Sequence, residues 1–318
     1  MNGEKAAGPV IVVAGPTASG KSAMALAIAE AFGGTVINSD SMQVYRELPV
    51  LTAQPSAADQ GRVPHVLYGV LPAAERCTAG RWREMALHEI AAAQEKGRLP
   101  VVTGGTGLYI KALTEGLAPI PDVPPNVREE TASLHQALGA ERFHVALAER
   151  DPVMAARLAP GDTQRVRRAY EVFAATGRSL ASYQAETATE DVSFIKLLLM
   201  PPREALNAAC DARCRAMIAA GALEEVRALL AQGLSPDLPA MKALGMRELA
   251  RHIRGEIGLE EAVALFQRAT RQYAKRQYTW FRHQLPGAQV WDAQFSESLK
   301  AETFSFIRKS VDPPGRGV

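Results

Sequence analysis

The stretch Gly15-Pro16-Thr17-Ala18-Ser19-Gly20-Lys21-Ser22 decides how this chain folds. It follows an apolar run, Val10 to Ala14, and precedes a helix-like segment, Ala23 to Phe32. All four fixed positions of G-x-x-x-x-G-K-[ST] are matched, in the strand–loop–helix context that a phosphate-binding loop requires. Glycines let the backbone turn tightly enough for several amide N–H groups to face one anion. The helix N-terminus adds partial positive charge. Lys21 adds a full charge, and Ser22 can place a hydroxyl on a magnesium ion bound to the same phosphates. An ordinary glycine-rich turn would need none of these flanks.

Outward from this loop, Thr35-Val36-Ile37 reads as a second strand that ends in Asn38-Ser39-Asp40-Ser41. Leu48–Pro72 has no clear period and reads as loop with short elements. Arg81–Lys96 reads as an amphipathic helix, Leu99–Thr103 as a strand, and Leu108–Glu115 as a helix after Gly104-Gly105-Thr106-Gly107. Strands alternating with helices predict a parallel sheet covered by helices. Prolines crowd at Leu117–Pro125, and beyond them residues 126–190 read as helices broken near Gly139, Pro152, Pro160-Gly161 and Gly177. Phe194–Met200 returns as a strand. Helices are predicted at Glu204–Ala220, Leu223–Gln232, Ala240–Arg254 and Leu259–Gln284, a strand at Gln289–Trp291 and a last helix at Glu297–Lys309. The expected fold class is α/β, a P-loop NTPase-like parallel sheet with an inserted all-helical subdomain. Residues 1–116 and 191–318 would form the core, and 117–190 the insertion. Residues 1–8 and Asp312–Val318 read as loose tails.

At 318 residues the chain can bury a large core. Its hydrophobic content of 47% and charged content of 22% are ordinary, and a net charge of +2 singles out no partner. Cys77, Cys210 and Cys214 form no disulfide framework or zinc site, and the last two sit one helical turn apart as small apolar residues. No apolar run approaches membrane-spanning length, and the start lacks the long apolar segment of a secretion signal. The protein is expected to be cytoplasmic, without a membrane partner, and a monomer.

A phosphate loop alone points to ATP or GTP. Hydrolases of this type hold magnesium partly through an Asp at the end of a second strand. Here Leu99–Thr103 ends without a carboxylate, while Asp40 ends the other early strand. Four stretches then occur in order: Gly15–Ser22, Asp40-Ser41-Met42-Gln43-Val44-Tyr45, Gly104–Tyr109 and Thr270-Arg271-Gln272-Tyr273-Ala274-Lys275-Arg276-Gln277. Together they resemble the tRNA dimethylallyltransferase family, from about Val10 to beyond Arg282. That resemblance implies transfer of a dimethylallyl group from dimethylallyl diphosphate to N6 of adenosine 37, just 3′ of the tRNA anticodon, with Mg2+ as the cofactor.

The resemblance also implies site residues. Gly15, Pro16, Thr17, Ala18, Ser19, Gly20, Lys21 and Ser22 would hold the diphosphate, stabilising charge as the allylic C–O bond breaks. Arg213 matches the family's diphosphate-contacting arginine; by itself it reads as a solvated helix residue. Asp40 matches the general base that takes the proton of a weakly basic amine; it also reads as a helix N-cap or a ligand of metal-bound water. Thr106 matches a tRNA-contacting threonine and also reads as the N-cap of Leu108–Glu115.

Ser41, Met42 and Gln43 accompany Asp40 at the RNA side. Residues 126–190 carry eight Arg against nine Asp or Glu, so bulk charge marks no RNA surface there. Within them Gln164, Arg165, Val166, Arg167 and Arg168 match a tRNA-contact segment, and Arg128 matches another contact. Lys242, Ala243, Leu244, Gly245, Met246 and Arg247 match a third. Arg268–Arg282 has five basic residues and no acidic ones. Its Gln272, Lys275 and Arg276 either grip phosphates or sit on an amphipathic helix.

Two positions depart from the family pattern: Gln54 stands where a Lys is common, and Gly69 where an Asp is common. Rival readings are an adenylate isopentenyltransferase acting on free nucleotides, a P-loop kinase of a small metabolite, and a non-enzymatic RNA-binding protein switched by nucleotide.

Overall fold

The computed structural model of the chain describes residues 8–187 and 192–311. The expected tails lie, Gly8 apart, outside the described residues. The chain divides into two compact units, Met1–Thr114 with Asp191–Val318, and Glu115–Glu190.

The first unit begins with β1 (Val10–Ala14), the loop Gly15–Gly20 and α1 (Lys21–Ala31). Then come β2 (Gly34–Asn38), α2 (Ala57–Arg62), the short β3 (His65–Val66), α3 (Ala79–Glu95), β4 (Leu99–Gly104) and α4 (Gly107–Glu115). The second unit is built, among its described residues, from α5 (Pro125–Arg150), α6 (Pro152–Arg157), α7 (Thr163–Thr176) and α8 (Leu180–Ala185). Gly139, at φ 72, interrupts α5, and left-handed Gly177 ends α7. These helices close on their own core, which includes Phe143, Leu147, Val166 and Val172. The buried Asp151 caps α6 by accepting from Met154 N–H at 3.1 Å and also accepts from the Ser179 hydroxyl.

The chain re-enters the first unit at β5 (Phe194–Leu199), followed by α9 (Arg203–Ala219), α10 (Ala222–Ala231), a 3₁₀ turn at Ala240–Lys242, α11 (Met246–Ile253), α12 (Leu259–Gln284), β6 (Gln289–Trp291) and α13 (Glu297–Val311). All six strands are parallel, in the order β3-β2-β4-β1-β5-β6. The expected parallel sheet with surrounding helices is the fold observed. β1 alternates its faces: Val10, Val12 and Ala14 pack into one apolar cluster, Ile11 and Val13 into another. Burial on both faces explains why β1 reads as an unbroken apolar run.

One element differs from expectation. Ala240–Arg254 is not one helix. The 3₁₀ turn ends at Ala243 (ψ 146), and Gly245 at φ 88 restarts the chain as α11. A Cβ on Gly245 would lie 2.9 Å from the Phe266 ring. The buried Ala240, Ala243, Met246, Leu249 and Ala250 keep helix-like spacing across the break, so the pattern conceals it.

The register places the functional loops. Asn38 is level with Thr103, and Ala14 with Gly104. The segments after β1, β2 and β4 therefore leave the sheet side by side at its carboxyl edge, where parallel α/β sheets bind ligands.

Candidate active site

At that edge the first turn of α1 leaves amide N–H groups without intrahelical partners, beside Lys21 and Ser22. Gly20 takes φ 89 and has Phe295 backbone and Cβ atoms 3.0–3.1 Å from its Cβ position, so glycine is required there twice over. The loop is braced from outside. Gln294 Nε2 donates to the Ala18 carbonyl at 3.0 Å, and Thr17 N–H donates to Gln277 Oε1 at 2.8 Å. Lys21 is 7% exposed, with Nζ 3.2 Å from the Pro16 carbonyl. Burial, reinforced by the charge of Arg213, lowers its pKa to about 8, while Asp40 acts in the opposite sense. Burial also lowers the Arg213 guanidinium below its ordinary value, against the pull of Asp40.

Asp40 follows β2 and is held on three sides. Its N–H donates to Asn38 Oδ1 at 2.8 Å, its carbonyl accepts from Asn38 Nδ2 at 3.0 Å, and its Oδ1 accepts from Met42 N–H at 2.9 Å. Its Oδ2 makes no hydrogen bond among the described residues. The residues after Asp40 form turns rather than a helix, so Asp40 is not a helix N-cap. Thr106 does occupy the cap position of α4, its carbonyl accepting from Tyr109 and Ile110 N–H. Its hydroxyl, however, accepts from Ser41 N–H at 2.9 Å and so ties this loop to Asp40's neighbour.

Lys21, Asp40, Ser41 and Arg213 line a cavity of about 350 Å³, and Thr106 stands behind Ser41 outside its lining. Thr17, Lys21, Ser22, Asp40 and Arg213 form its polar side; Leu51, Met217, Leu244 and Phe266 form an apolar wall. A second cavity of about 390 Å³ shares Ser22, Gln43 and Arg213 with the first. Burial, with Asp40's charge, pushes the phenols of Tyr68 and Tyr273 upward, and burial raises the Cys210 and Cys214 thiols. All four are therefore neutral near pH 7. Among the described residues Asp40 is the one Asp or Glu that lines the first cavity. A hydroxyl and a carboxylate on one polar wall suit a hard divalent cation that keeps waters and substrate oxygens as its other ligands. No cluster of three or more His, Cys, Asp or Glu among the described residues offers a full protein cage.

The other sequence candidates distribute unevenly. Ser41, Met42, Gln43, Lys242, Leu244 and Arg276 line the first cavity. Gln43 turns its amide inward, donating to the carbonyls of Thr52 and Ala53 at 2.9 Å each. Ala243, Gly245 and Met246 are buried and Arg247 is exposed. Gln272 and Lys275 are exposed on α12. In the second unit Arg128, Gln164 and Arg165 are exposed, while Val166 is core. Arg165 pairs with Asp162 at 3.1 Å and Arg168 with Glu171 at 3.7 Å, whereas the buried Arg167 Nε has no hydrogen-bond partner among the described residues.

The two departures meet: Gln54 Oε1 lies 3.3 Å from the Cβ position of Gly69. Gln54 Nε2 donates to the Tyr45 carbonyl at 2.8 Å.

Several supports escape sequence reading. Asn38 is one. Glu225 is another, its carboxylate accepting from Val50 and Leu51 N–H at 2.6 and 2.8 Å and so fixing the apolar wall. Gln277 is a third, and only its place inside the Thr270–Gln277 stretch marked it.

The sheet, its phosphate loop and the facing carboxylate define a P-loop protein built for group transfer from an anionic donor. The family described as IPP transferase matches residues 43–284, and that described as isopentenyl transferase matches residues 8–65. A tRNA dimethylallyltransferase of Rhodospirillum centenum is 58% identical over 89% of this chain and 91% of its own length. Another, from Paramagnetospirillum magneticum, is 53% identical over 95% and 97%. Among solved structures, the tRNA isopentenylpyrophosphate transferase of Bacillus halodurans superposes with a TM-score of 0.70 at 29% identity, covering 95% of this chain and 96% of that one. A eukaryotic dimethylallyltransferase acting on tRNA gives a TM-score of 0.82 at 26% identity, over 97% and 81%. The chain belongs to the tRNA dimethylallyltransferase family and is a transferase.

Proposed function

We propose that the chain transfers a dimethylallyl group from dimethylallyl diphosphate to N6 of the adenosine just 3′ of the anticodon in tRNA, releasing diphosphate. The observation that carries the reading is one cavity lined by Lys21, Ser22, Arg213 and the carboxylate of Asp40 together with the apolar Leu51, Met217, Leu244 and Phe266. In this reading the cations hold the anionic leaving group, the apolar residues receive the prenyl chain and the carboxylate takes the acceptor's proton.

The diphosphate sits on the first turn of α1, against Lys21 and Arg213. As the allylic C–O bond breaks, its electron pair stays on the diphosphate, where these cations hold it. The N6 lone pair forms the new C–N bond, and the N6 proton passes to Asp40 Oδ2. Oδ1 stays on Met42 N–H, which keeps the carboxylate oriented. The Ser22 hydroxyl would hold a Mg2+ ion, which when bound would supply further charge neutralisation on the leaving group. The apolar wall excludes water from the reacting carbon. Ser41, Met42, Gln43 and Thr106 face the acceptor base, which leaves a loop without breaking a long duplex. Arg128, Arg165, Arg167 and Arg168 of the helical unit bind the anticodon stem-loop backbone.

The test is incubation with dimethylallyl diphosphate, magnesium and unmodified tRNA, followed by nucleoside mass spectrometry. A prenylated adenosine is the expected product. ATP consumption with an unmodified tRNA would favour a kinase, and product on free nucleotide alone an adenylate transferase. Asp40→Asn is expected to lower the single-turnover rate by about 10²–10⁴ with diphosphate binding retained. Wild-type chemistry with collapsed magnesium binding in that variant would move Asp40 to the metal.

A further inference from the structure

We infer that Gln277 is a positioning residue that sets the spacing between the diphosphate-holding loop and the acceptor-side loop. The inference deepens the prenyl-transfer reading and rests on it. The buried Gln277 side chain sits on α12 and does not line either cavity described above. Its Oε1 accepts from Thr17 N–H at 2.8 Å, and its Nε2 donates to the Gly105 carbonyl at 2.7 Å. Each backbone partner offers one polarity only, a donor at Thr17 and an acceptor at Gly105, so the orientation of the amide is dictated.

The two loops share the β1–β4 ladder at their roots, where Ala14 is level with Gly104, but beyond it they are joined to different things. Thr17 belongs to the phosphate loop, which the diphosphate occupies. Gly105 precedes Thr106, whose hydroxyl holds Ser41 next to Asp40. A single primary amide thus spans from the electrophile's cradle to the base's anchor. Gly105 is shaped for it: a Cβ there would lie 2.3 Å from Gln277 Nε2, and its φ lies outside the left-handed region. The glycine is needed for the close approach, not for its backbone angles. Because a misplacement of about 1 Å between reacting atoms can cost on the order of 10² in rate, a strut at this point acts on the chemical step.

Gln277→Met keeps the length and removes the hydrogen bonds to both backbones and the one shared with the Tyr273 hydroxyl. Gln277→Glu keeps the acceptor toward Thr17 but sets a carboxylate oxygen against the Gly105 carbonyl, near the Asp40 carboxylate and the neutral Tyr273 phenol, until it is protonated. Both are measured by single-turnover transfer at saturating dimethylallyl diphosphate and tRNA, together with the Kd of each substrate and the melting temperature. The expected result is a rate about 10–100-fold below wild type with each Kd within about three-fold. Relative to wild type at the same pH, the Glu variant regains rate as the pH is lowered to about 5.5, and the Met variant does not. A merely structural role would lower the melting temperature and leave the rate per folded molecule and its pH profile unmoved. Gly105→Ala displaces the amide with Gln277 intact and is expected to show the same rate loss; it decides the matter if Gln277→Met does not fold. Rates within two-fold of wild type in folded Gln277→Met or Gly105→Ala, or a loss confined to substrate affinity, would overturn the inference. A wild-type enzyme that leaves tRNA unmodified would overturn the prenyl-transfer reading and this inference with it.

Discussion

Two glycine-rich loops leave neighbouring strands at the same edge of the sheet, and their glycines serve different ends. In Gly15–Ser22, Gly20 is left-handed at φ 89, a conformation that opens the backbone toward an anion. In Gly104–Gly107 none of the glycines has a left-handed φ. There the missing Cβ is what counts. Added at Gly104 it would lie 2.3 Å from the Ser39 carbonyl carbon, and at Gly107 2.3 Å from the Trp280 ring. The first loop combines left-handed backbone with close neighbours at Gly15 and Gly20, whereas the second, with no left-handed glycine, is shaped by how closely α12 and the Ser39–Asp40 segment press on it. Similar composition therefore does not imply similar physics; the backbone angles and the neighbours separate the two cases.

The sharpest test of this contrast is removal of charge from the first loop. Lys21→Ala is expected to reduce transfer by about 10²–10³, the scale of losing one preorganised contact to developing charge. Its melting temperature should change little, because a desolvated ammonium contributes no net stability to the fold. Unaltered transfer at low dimethylallyl diphosphate would show that the loop does not hold the leaving group. The second loop should respond in the opposite manner. Gly107→Ala is expected to destabilise the fold by about 1–3 kcal/mol, the cost of overpacking, seen as a lower denaturation midpoint. Shortening the opposing ring with Trp280→Leu should recover most of that loss. A Gly107→Ala chain as stable as wild type would mean that the helix yields freely.

The smallest effect separates the loops by pH. The pKa of Lys21 lies at about 8 in the protein. A bound diphosphate favours the ammonium and raises that pKa, so the complex keeps a proton that the unliganded enzyme loses. Diphosphate affinity is therefore full below about pH 8 and falls by up to about tenfold per unit above it. Titration calorimetry between about pH 7 and 9 reads this directly. Lys21→Arg, charged throughout, should give a flat profile; a flat profile in the wild type would remove Lys21 as the titrating group.

Much of the fold was legible because it is local. Val10–Ala14 before G-x-x-x-x-G-K-S, the Thr35–Ile37 and Leu99–Thr103 runs, and the long amphipathic stretch Leu259–Gln284 each carry their structure in their own periodicity and punctuation. The break inside Ala240–Arg254 was not legible, since only the ring of Phe266 against Gly245 reveals it. The chemistry-bearing candidates Lys21, Ser22, Asp40 and Arg213 were named by motif and resemblance. That they line one cavity with the apolar Leu51, Met217, Leu244 and Phe266 came from the packing.

By itself, then, the sequence determined the order of strands and helices, the anion-binding turn and the types of side chain available for transfer. These depend on backbone preferences and spacings within a few turns of chain. Only the tertiary structure decided which loops stand together and what holds them apart. Thr17 and Gln277 are 260 positions apart, and Gln277 and Gly105 172. No local pattern encodes such contacts. They exist because parallel strands bring their carboxyl ends to one edge, and because α12 then lays a buried amide between two backbones that leave room for nothing larger.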